Sequence, residues 1–439
     1  ADTGSRLHHL EYDDLSVRRS LAVAHDALAA AEREADRDAA LALRRIGALD
    51  LPTYGAPLIA RLTGTDERRA EAALDRLVDV ALLEETAYGR YAPHDLVRDF
   101  ARELAEADAR TSRSQVRIGD AEPAPAGPGC ADLVALRWYA AVSERALEAI
   151  VEPGIDQDDR RRPTAAQPDE HATDVAALAS FESAEEAFAW GETELENIVA
   201  LVARHADTDD ARTAAYLSVL TRLLSPYVQR SGRVAEMEVL GRAGLGAARR
   251  LGDAVAEGYA LCDLAALHFM TGRQNDSLTL TDQALEIWGR LGMVSRIRRC
   301  LNNRGLLLEG LGRFAESGEA LRRSLAYSRL LNDPYGEAVT RSHLGNLYEH
   351  TDPRAAIEQH RRSLAIGERI GAVIVRHSAH CNIGYAHLTL GEPESAARHF
   401  EESLRILGGH GDWHGEAQTR LGLVKPSLLI LDSVQTVAS

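Results

Sequence analysis

Between residues 16 and 49, apolar and charged positions recur at helical spacing. Leu21, Ala24, Leu28 and Ala31 share one face, and Leu41, Leu43 and Ile46 begin a second, the pattern of amphipathic helices. Pro52 and Gly55 interrupt it, because neither residue suits a helix interior. A short helix is predicted around 57–62, and then a longer one through Leu74, Leu77 and Val78 to Leu82, with Thr65 as its N-cap. Leu83 to Ala92 reads as a hairpin turning near Gly89, after which His94-Asp95 opens a helix over 96–107. Helix, helix, hairpin, helix is a winged-helix order, expected within residues 1–110.

Residues 111–130 turn to Pro, Gly, Ala and Ser and are expected to form a linker, ahead of a helical connector over 131–234. Within that connector, 152–175 concentrates Pro, Asp and Gln around Arg160-Arg161-Arg162. Such a composition predicts a disordered excursion, with the arginines, flanked by Asp156, Asp158, Asp159 and Asp169, as a solvated loop. From about 235 the chain repeats every 39 or 40 residues. Ala265, Gly305, Gly345 and Gly384 mark a small position in the first helix of each unit. Ala284-Leu285, Ser324-Leu325, Ser363-Leu364 and Ser403-Leu404 mark the second helix. Turns fall at Thr271-Gly272-Arg273, Leu311-Gly312-Arg313, Thr351-Asp352-Pro353 and Leu390-Gly391-Glu392. Self-similarity at one period predicts an α-solenoid of four to five units over 235–423, each burying its apolar face on its neighbours. The fold class is therefore mostly α: a winged helix, a helical connector and a helix-turn-helix array. The stretch 424–439 breaks the repeat at Pro426 and reads as a β-prone, atypical tail.

A net charge of −17 argues against general affinity for nucleic acid, which needs a basic face. The candidate recognition helix, Asp66 to Leu82, sets Arg68, Arg69 and Arg76 against five carboxylates, so no sequence-specific DNA binding is expected of it. No run approaches the length of a membrane span, and no signal pattern opens the chain, which implies a cytoplasmic location. The chain lacks an initiator Met and is expected to be a piece of a longer protein. Cys130, Cys262, Cys300 and Cys381 form no CxxC pair, which favours buried thiols in a reducing compartment. The single lysine, Lys425, lies in Val-Lys-Pro-Ser, so there is no P-loop to cradle a nucleotide. The four apolar residues before Asp432 are similar to a Walker B strand, which cannot work without one.

Candidate chemistry is sparse. His377, His380 and Cys381 share a helix face but lack a fourth ligand, and no metal is expected. No Gly-x-Ser-x-Gly elbow exists, and the chain reads as a non-enzyme. The first helices of the units carry polar side chains along the concave face of the solenoid. Asn302, Arg341, Asn346 and His380 are the candidate partner contacts, protein being favoured over a small molecule as the partner.

Leu344-Gly345-x-x-Tyr348 and Gly312-Arg313-Phe314 resemble tetratricopeptide repeats. Trp190-Gly191-Glu192-Thr193-Glu194-Leu195-Glu196-Asn197-Ile198-Val199-Ala200 resembles the segment preceding the repeats in large, AfsR-like Streptomyces antibiotic regulatory proteins. Leu74-Asp75-x-Leu77-Val78-Asp79-x-x-Leu82-Leu83 with Tyr91-Ala92-Pro93-His94-Asp95-Leu96 is similar to the winged helix of their NB-ARC nucleotide switch. The resemblance spans roughly 15–423. It implies the sensor and autoinhibitory module of a transcriptional activator of the STAND class, controlling secondary metabolism, with ADP or ATP held only by an NB-ARC domain absent from this chain. His94 and Asp95 would then be the nucleotide-sensing pair, aligned with the family's Met-His-Asp triplet, with Pro93 in place of the Met. The implied partner is that NB-ARC domain or another protein, with oligomerisation on activation. Two rival readings are a repeat array that binds a small inducer, and a docking scaffold whose winged helix binds DNA directly.

Overall fold

The computed structural model describes residues 11–12, 15–116, 128–408 and 412–424. Its contacts separate into two units, 1–141 with 194–204, and 142–193 with 205–439. The unit boundaries fall inside two helices introduced below, α6 and α9.

In the first unit, β1 (Glu11–Tyr12) pairs with β2 (Leu15–Ser16) ahead of α1 (Val17–Ala29). Then come α2 (Glu34–Leu49), α3 (Ala56–Thr63), α4 (Glu67–Asp79), the hairpin β3 (Glu84–Ala87) to β4 (Arg90–Ala92), and α5 (Asp95–Val116). This is the winged-helix order, with one more strand contribution than expected: Tyr54, in the Pro52–Gly55 break, bridges Tyr91 of β4. The Tyr54 hydroxyl is buried, donates to Ile46 O and accepts from Leu51 N, so the break is pinned to the end of α2. The N-cap of α4 is Asp66, which accepts from Arg69 N, and not Thr65. A carboxylate at that position also suits the helix dipole. Gly47 is where α2 and α5 meet: a Cβ there would lie 2.0 Å from Ala101 O, so no side chain fits.

The second unit begins with the end of α6 (Pro128–Ile150), the short α7 (Ile155–Arg161) and α8 (His171–Ala176), and the start of α9 (Ala184–His205). Of the expected linker, 117–127 lies outside the described residues, while 111–116 and 128–130 extend the flanking helices. Helix hairpins follow: α10 (Ala211–Arg230) with α11 (Val234–Leu251), α12 (Ala254–Met270) with α13 (Gln274–Leu291), and α14 (Val294–Gly310) with α15 (Phe314–Leu330). Next are α16 (Pro334–Glu349) with α17 (Pro353–Ile370), and α18 (Val373–Thr389) with α19 (Pro393–Leu407), before a last helical run over 413–424. Pairing thus starts one hairpin earlier than the periodicity indicated, and the atypical tail beyond 424 lies outside the described residues.

The repeated residues have distinct tasks. Gly305, Gly345 and Gly384 face Leu321, His360 and Phe400 of the second helix, and a Cβ at any of them would fall within 2.4–2.8 Å of those side chains. Ser324, Ser363 and Ser403 donate across the hairpin to the carbonyls of Arg298, Ala338 and His377, at 2.8–3.0 Å. These hydroxyls satisfy buried acceptors and fix the pairing of each hairpin. Most turns bend at a left-handed glycine such as Gly312 (φ 73°), which a Cβ would strain. The α16–α17 hairpin is one residue shorter, in α16 itself (16 residues against 17 in α12, α14 and α18), and its turn lacks the glycine. There Asp352 caps α17 by accepting from Arg354 N and Ala355 N, and this deletion is why the period alternates between 40 and 39.

Candidate partner-binding groove

The first helices of successive hairpins line one inner face of the second unit, and its two halves differ. The distal half is an open groove of about 370 Å3, bounded by Tyr335, Val339, His343 and Asn346 of α16 and by Ile374, Ser378 and Asn382 of α18, with His414 and Gln418 closing its end. Its floor is a hydrogen-bond ladder between neighbouring first helices: His343 Nδ1 to Asn302 Oδ1 at 3.1 Å, and Asn382 Nδ2 to Ser342 Oγ at 2.9 Å. Burial, with a smaller push from His360, lowers the His343 pKa to about 4, so this half presents neutral hydrogen-bonding groups among aliphatic ones.

Of the predicted contacts, only Asn346 lines this groove. Asn302 is 3% exposed and is occupied by His343. Arg341 turns away, to Glu337 at 2.7 Å and to Gln359 of α17. His380 lies 3.0 Å from His399 of α19, and His399 stacks on His387 at 5.5 Å between centroids. Burial also lowers the His380 pKa, and lowers that of His399 to about 4. One helical step separates residues that line the groove from residues that seal the hairpin, because successive side chains are about 100° apart. Among the described residues, no group of three His, Cys, Asp or Glu side chains is placed to hold a metal ion.

The proximal half is filled by the chain itself. Residues 152–166, expected to be disordered, are ordered and thread along the first helices. Glu152 accepts from Ile374 N of α18, and Ala166 N donates to Asp253 at the start of α12. Between them Asp156 meets Arg298 at 2.7 Å and Arg299 at 3.4 Å, and Asp159 meets Arg296 at 3.3 Å. Arg160 is not solvated: it is 6% exposed, pairs with Asp263 at 2.7 Å and donates to Arg222 O. Arg160, Arg222 and Arg296 all stand over the Tyr259 ring, 4.5–5.8 Å from its centroid. Burial alone would raise the Asp156 pKa, but Arg299, Arg298 and Arg296 outweigh it and hold it near 2. Opposite charges, most of them 100 or more residues away, order a segment whose one large apolar residue is Ile155, which is why its sequence reads as disorder.

In the first unit, Glu194 and Asn197 of the Trp190…Asn197 segment close on the winged helix. Asn197 exchanges hydrogen bonds with the backbone of Thr53, and Glu194 takes Arg90 at 2.6 Å and the Tyr139 hydroxyl at 2.8 Å. Sequence resemblance marked the segment without showing this role. His94 is largely exposed just ahead of α5, 3.6 Å from Glu84, and Asp95 is the first residue of that helix. Arg69 and Arg76 of α4 are paired with Asp38 and Asp36 of α2. Cys262 and Cys300, 38 residues apart, are brought to 3.7 Å on successive first helices, a pairing their linear spacing hides.

Residues 297–369 and 377–406 match tetratricopeptide repeat models, so the hairpins from α14 to α19 are repeats of that kind. Within that class, the chain is homologous to AfsR regulatory proteins of Streptomyces over most of its length. It is 28% identical to "Regulatory protein AfsR" of Streptomyces coelicolor over 88% of the chain and 36% of that protein. It is 26% identical to the Streptomyces griseus protein over 94% of the chain and 42% of that protein. The chain therefore spans about two fifths of the length of these relatives. A solved STAND protein with a tetratricopeptide repeat sensor from Pyrococcus horikoshii is 13% identical, with a TM-score of 0.37 over 97% of this chain and 67% of that one. Among the described residues, no helix is long and apolar enough to cross a membrane.

Proposed function

We propose that the chain is the non-enzymatic sensor and autoinhibitory module of a cytoplasmic bacterial transcriptional activator. In this reading the winged helix closes on an ADP-bound NB-ARC domain of the same polypeptide, and the repeat array receives a protein partner. The observation that carries it is homology to AfsR regulatory proteins joined to an open groove lined by Asn346, His343 and Asn382. The exposure of His94 at the start of a long helix leaves its imidazole able to meet a phosphate of a neighbouring domain, since a helix N-terminus favours anions, with Asp95 beside it as the first residue of the helix. Reading of DNA by α4 is disfavoured because Arg69 and Arg76 already neutralise α2 carboxylates.

The coding frame preceding Ala1 supplies the first test, and a frame without a P-loop would remove the NB-ARC reading. In the longer protein, His94→Ala is expected to loosen the ADP-held state and raise reporter output without signal. Output equal to wild type would take His94 and Asp95 out of the switch.

A further inference from the structure

The threaded segment behaves as a ligand of the array would. It runs along the first helices, offers carboxylates at Asp156 and Asp159, one helical turn apart, and meets side chains from α12 and α14. Arginine clusters of this kind recognise acidic motifs through paired, charge-assisted hydrogen bonds. We propose that the arginine-lined half of the inner face is a receptor for an acidic protein segment carrying an Asp-x-x-Asp-Arg pattern, and that residues 152–166 occupy it as an internal competitor. This deepens the proposed function by naming the chemistry of a partner, and it rests on the array being a protein-binding sensor.

Three observations favour an exchangeable occupant over a permanent part of the core. α7 is held through ion pairs and hydrogen bonds, with Ile155 its one large apolar side chain, and sits between Pro153-Gly154 and Pro163, so it can leave as a unit without unravelling a longer helix. The fit is incomplete: the Nε atoms of Arg296 and Arg298, residues 3% and 2% exposed, have no hydrogen-bond partner. Arg298 is also shared between Asp156 and Asp333, at 2.7 and 3.1 Å. Beside α7 a small pocket of about 90 Å3, bounded by Glu152, Asp156, Arg230, Arg299 and Tyr335, leaves room for a larger side chain at this point of the segment. A partner that satisfied both guanidinium groups would outcompete the internal turn, and its binding would release 152–166 from the face it covers.

The test uses a fluorescent peptide with the sequence of residues 150–168 and the full 439-residue chain. The Asp156→Asn/Asp159→Asn chain is expected to bind it at least tenfold more tightly than wild type. Binding should fall as salt rises, and should be lost on adding Arg298→Gln or on changing both peptide aspartates to asparagine. Equal affinity of the two chains, or indifference to the peptide's aspartates, overturns the proposal. Should the double variant not fold, hydrogen exchange on the wild-type chain decides. Residues 155–161 must exchange at least tenfold faster than 298–308, and equal protection overturns the exchangeable turn. Asn346→Ala should leave peptide binding intact, so a negative result here stays separate from failure of the distal-groove or NB-ARC readings.

Discussion

The two halves of the inner face are built on the same hairpins, yet one is charged and filled while the other is neutral and open. At matching positions of the first helices, α14 presents Arg298 and Arg299 where α16 presents Ala338 and Val339. The hairpin scaffold is indifferent to this choice. Small residues such as Gly345 hold the helices together on faces that do not line the groove, so the inner positions of the open half are free to carry recognition. In the open half stability and specificity are thereby separated along the helix, whereas in the filled half the inner arginines carry both, and the two halves should respond differently to substitution.

The largest expected effect lies in the filled half. Arg298→Ala strips two carboxylates, Asp156 and Asp333, of a buried cation. Breaking a buried ion pair from one side typically costs about 3–5 kcal/mol, and a fall of that size in denaturant-unfolding free energy is expected. A loss under 1 kcal/mol would mean the network is solvated and the contrast between the halves is superficial.

Next comes acid. His343 has its pKa lowered to about 4 by burial, so between the ordinary value near 6.5 and pH 4 the unfolded chain takes up a proton that the folded chain refuses. The stability tied to this group is full above about pH 6.5 and declines towards pH 4, by about 3 kcal/mol in all. The acidic counterpart, Asp156, has its pKa held near 2, and its contribution disappears only below about pH 4. A His343→Asn chain should show a shallower decline between pH 6.5 and 4. An identical pH profile would place His343 in contact with water.

Gly345→Leu is expected to cost about 2 kcal/mol, since overpacking a close contact costs roughly 1–3 kcal/mol and a Cβ there would already lie 2.4 Å from the His360 ring. An unchanged melting temperature would show that α16 and α17 can part without loss.

Gly345 also marks what was legible in the sequence. A small residue recurring at one period announces a helix contact without any knowledge of its partner, and the winged-helix order followed from local turn and cap signals. Residues 152–166 were opaque because most of their stabilising charges sit on α12 and α14, 100 or more residues away, and a local window of Asp, Arg and Pro looks the same whether solvated or clamped. The groove residues were half legible. Asn302 and Asn303, or Arg341 and His343, differ by a step or two along a helix, and only the packed structure says which of them line the face.

The smallest expected effect on stability is therefore the most discriminating for function. Asn346 lines the open groove, is only partly buried and belongs to no hydrogen bond among those of the described ladder. Asn346→Ala should change unfolding free energy by less than about 0.5 kcal/mol, as for most surface substitutions. It should nonetheless weaken association with the NB-ARC domain or other protein partner, by about tenfold if one hydrogen bond to a buried group is lost. Arg341→Ala is the matched control. It sits one turn before Gly345 but points at Gln359, so it should reduce stability slightly and leave the affinity alone. Calorimetric titration of the two variants against the same partner reads both outcomes. If Arg341→Ala weakened binding as much as Asn346→Ala, the hairpin seam and not the open groove would be the surface that the partner touches.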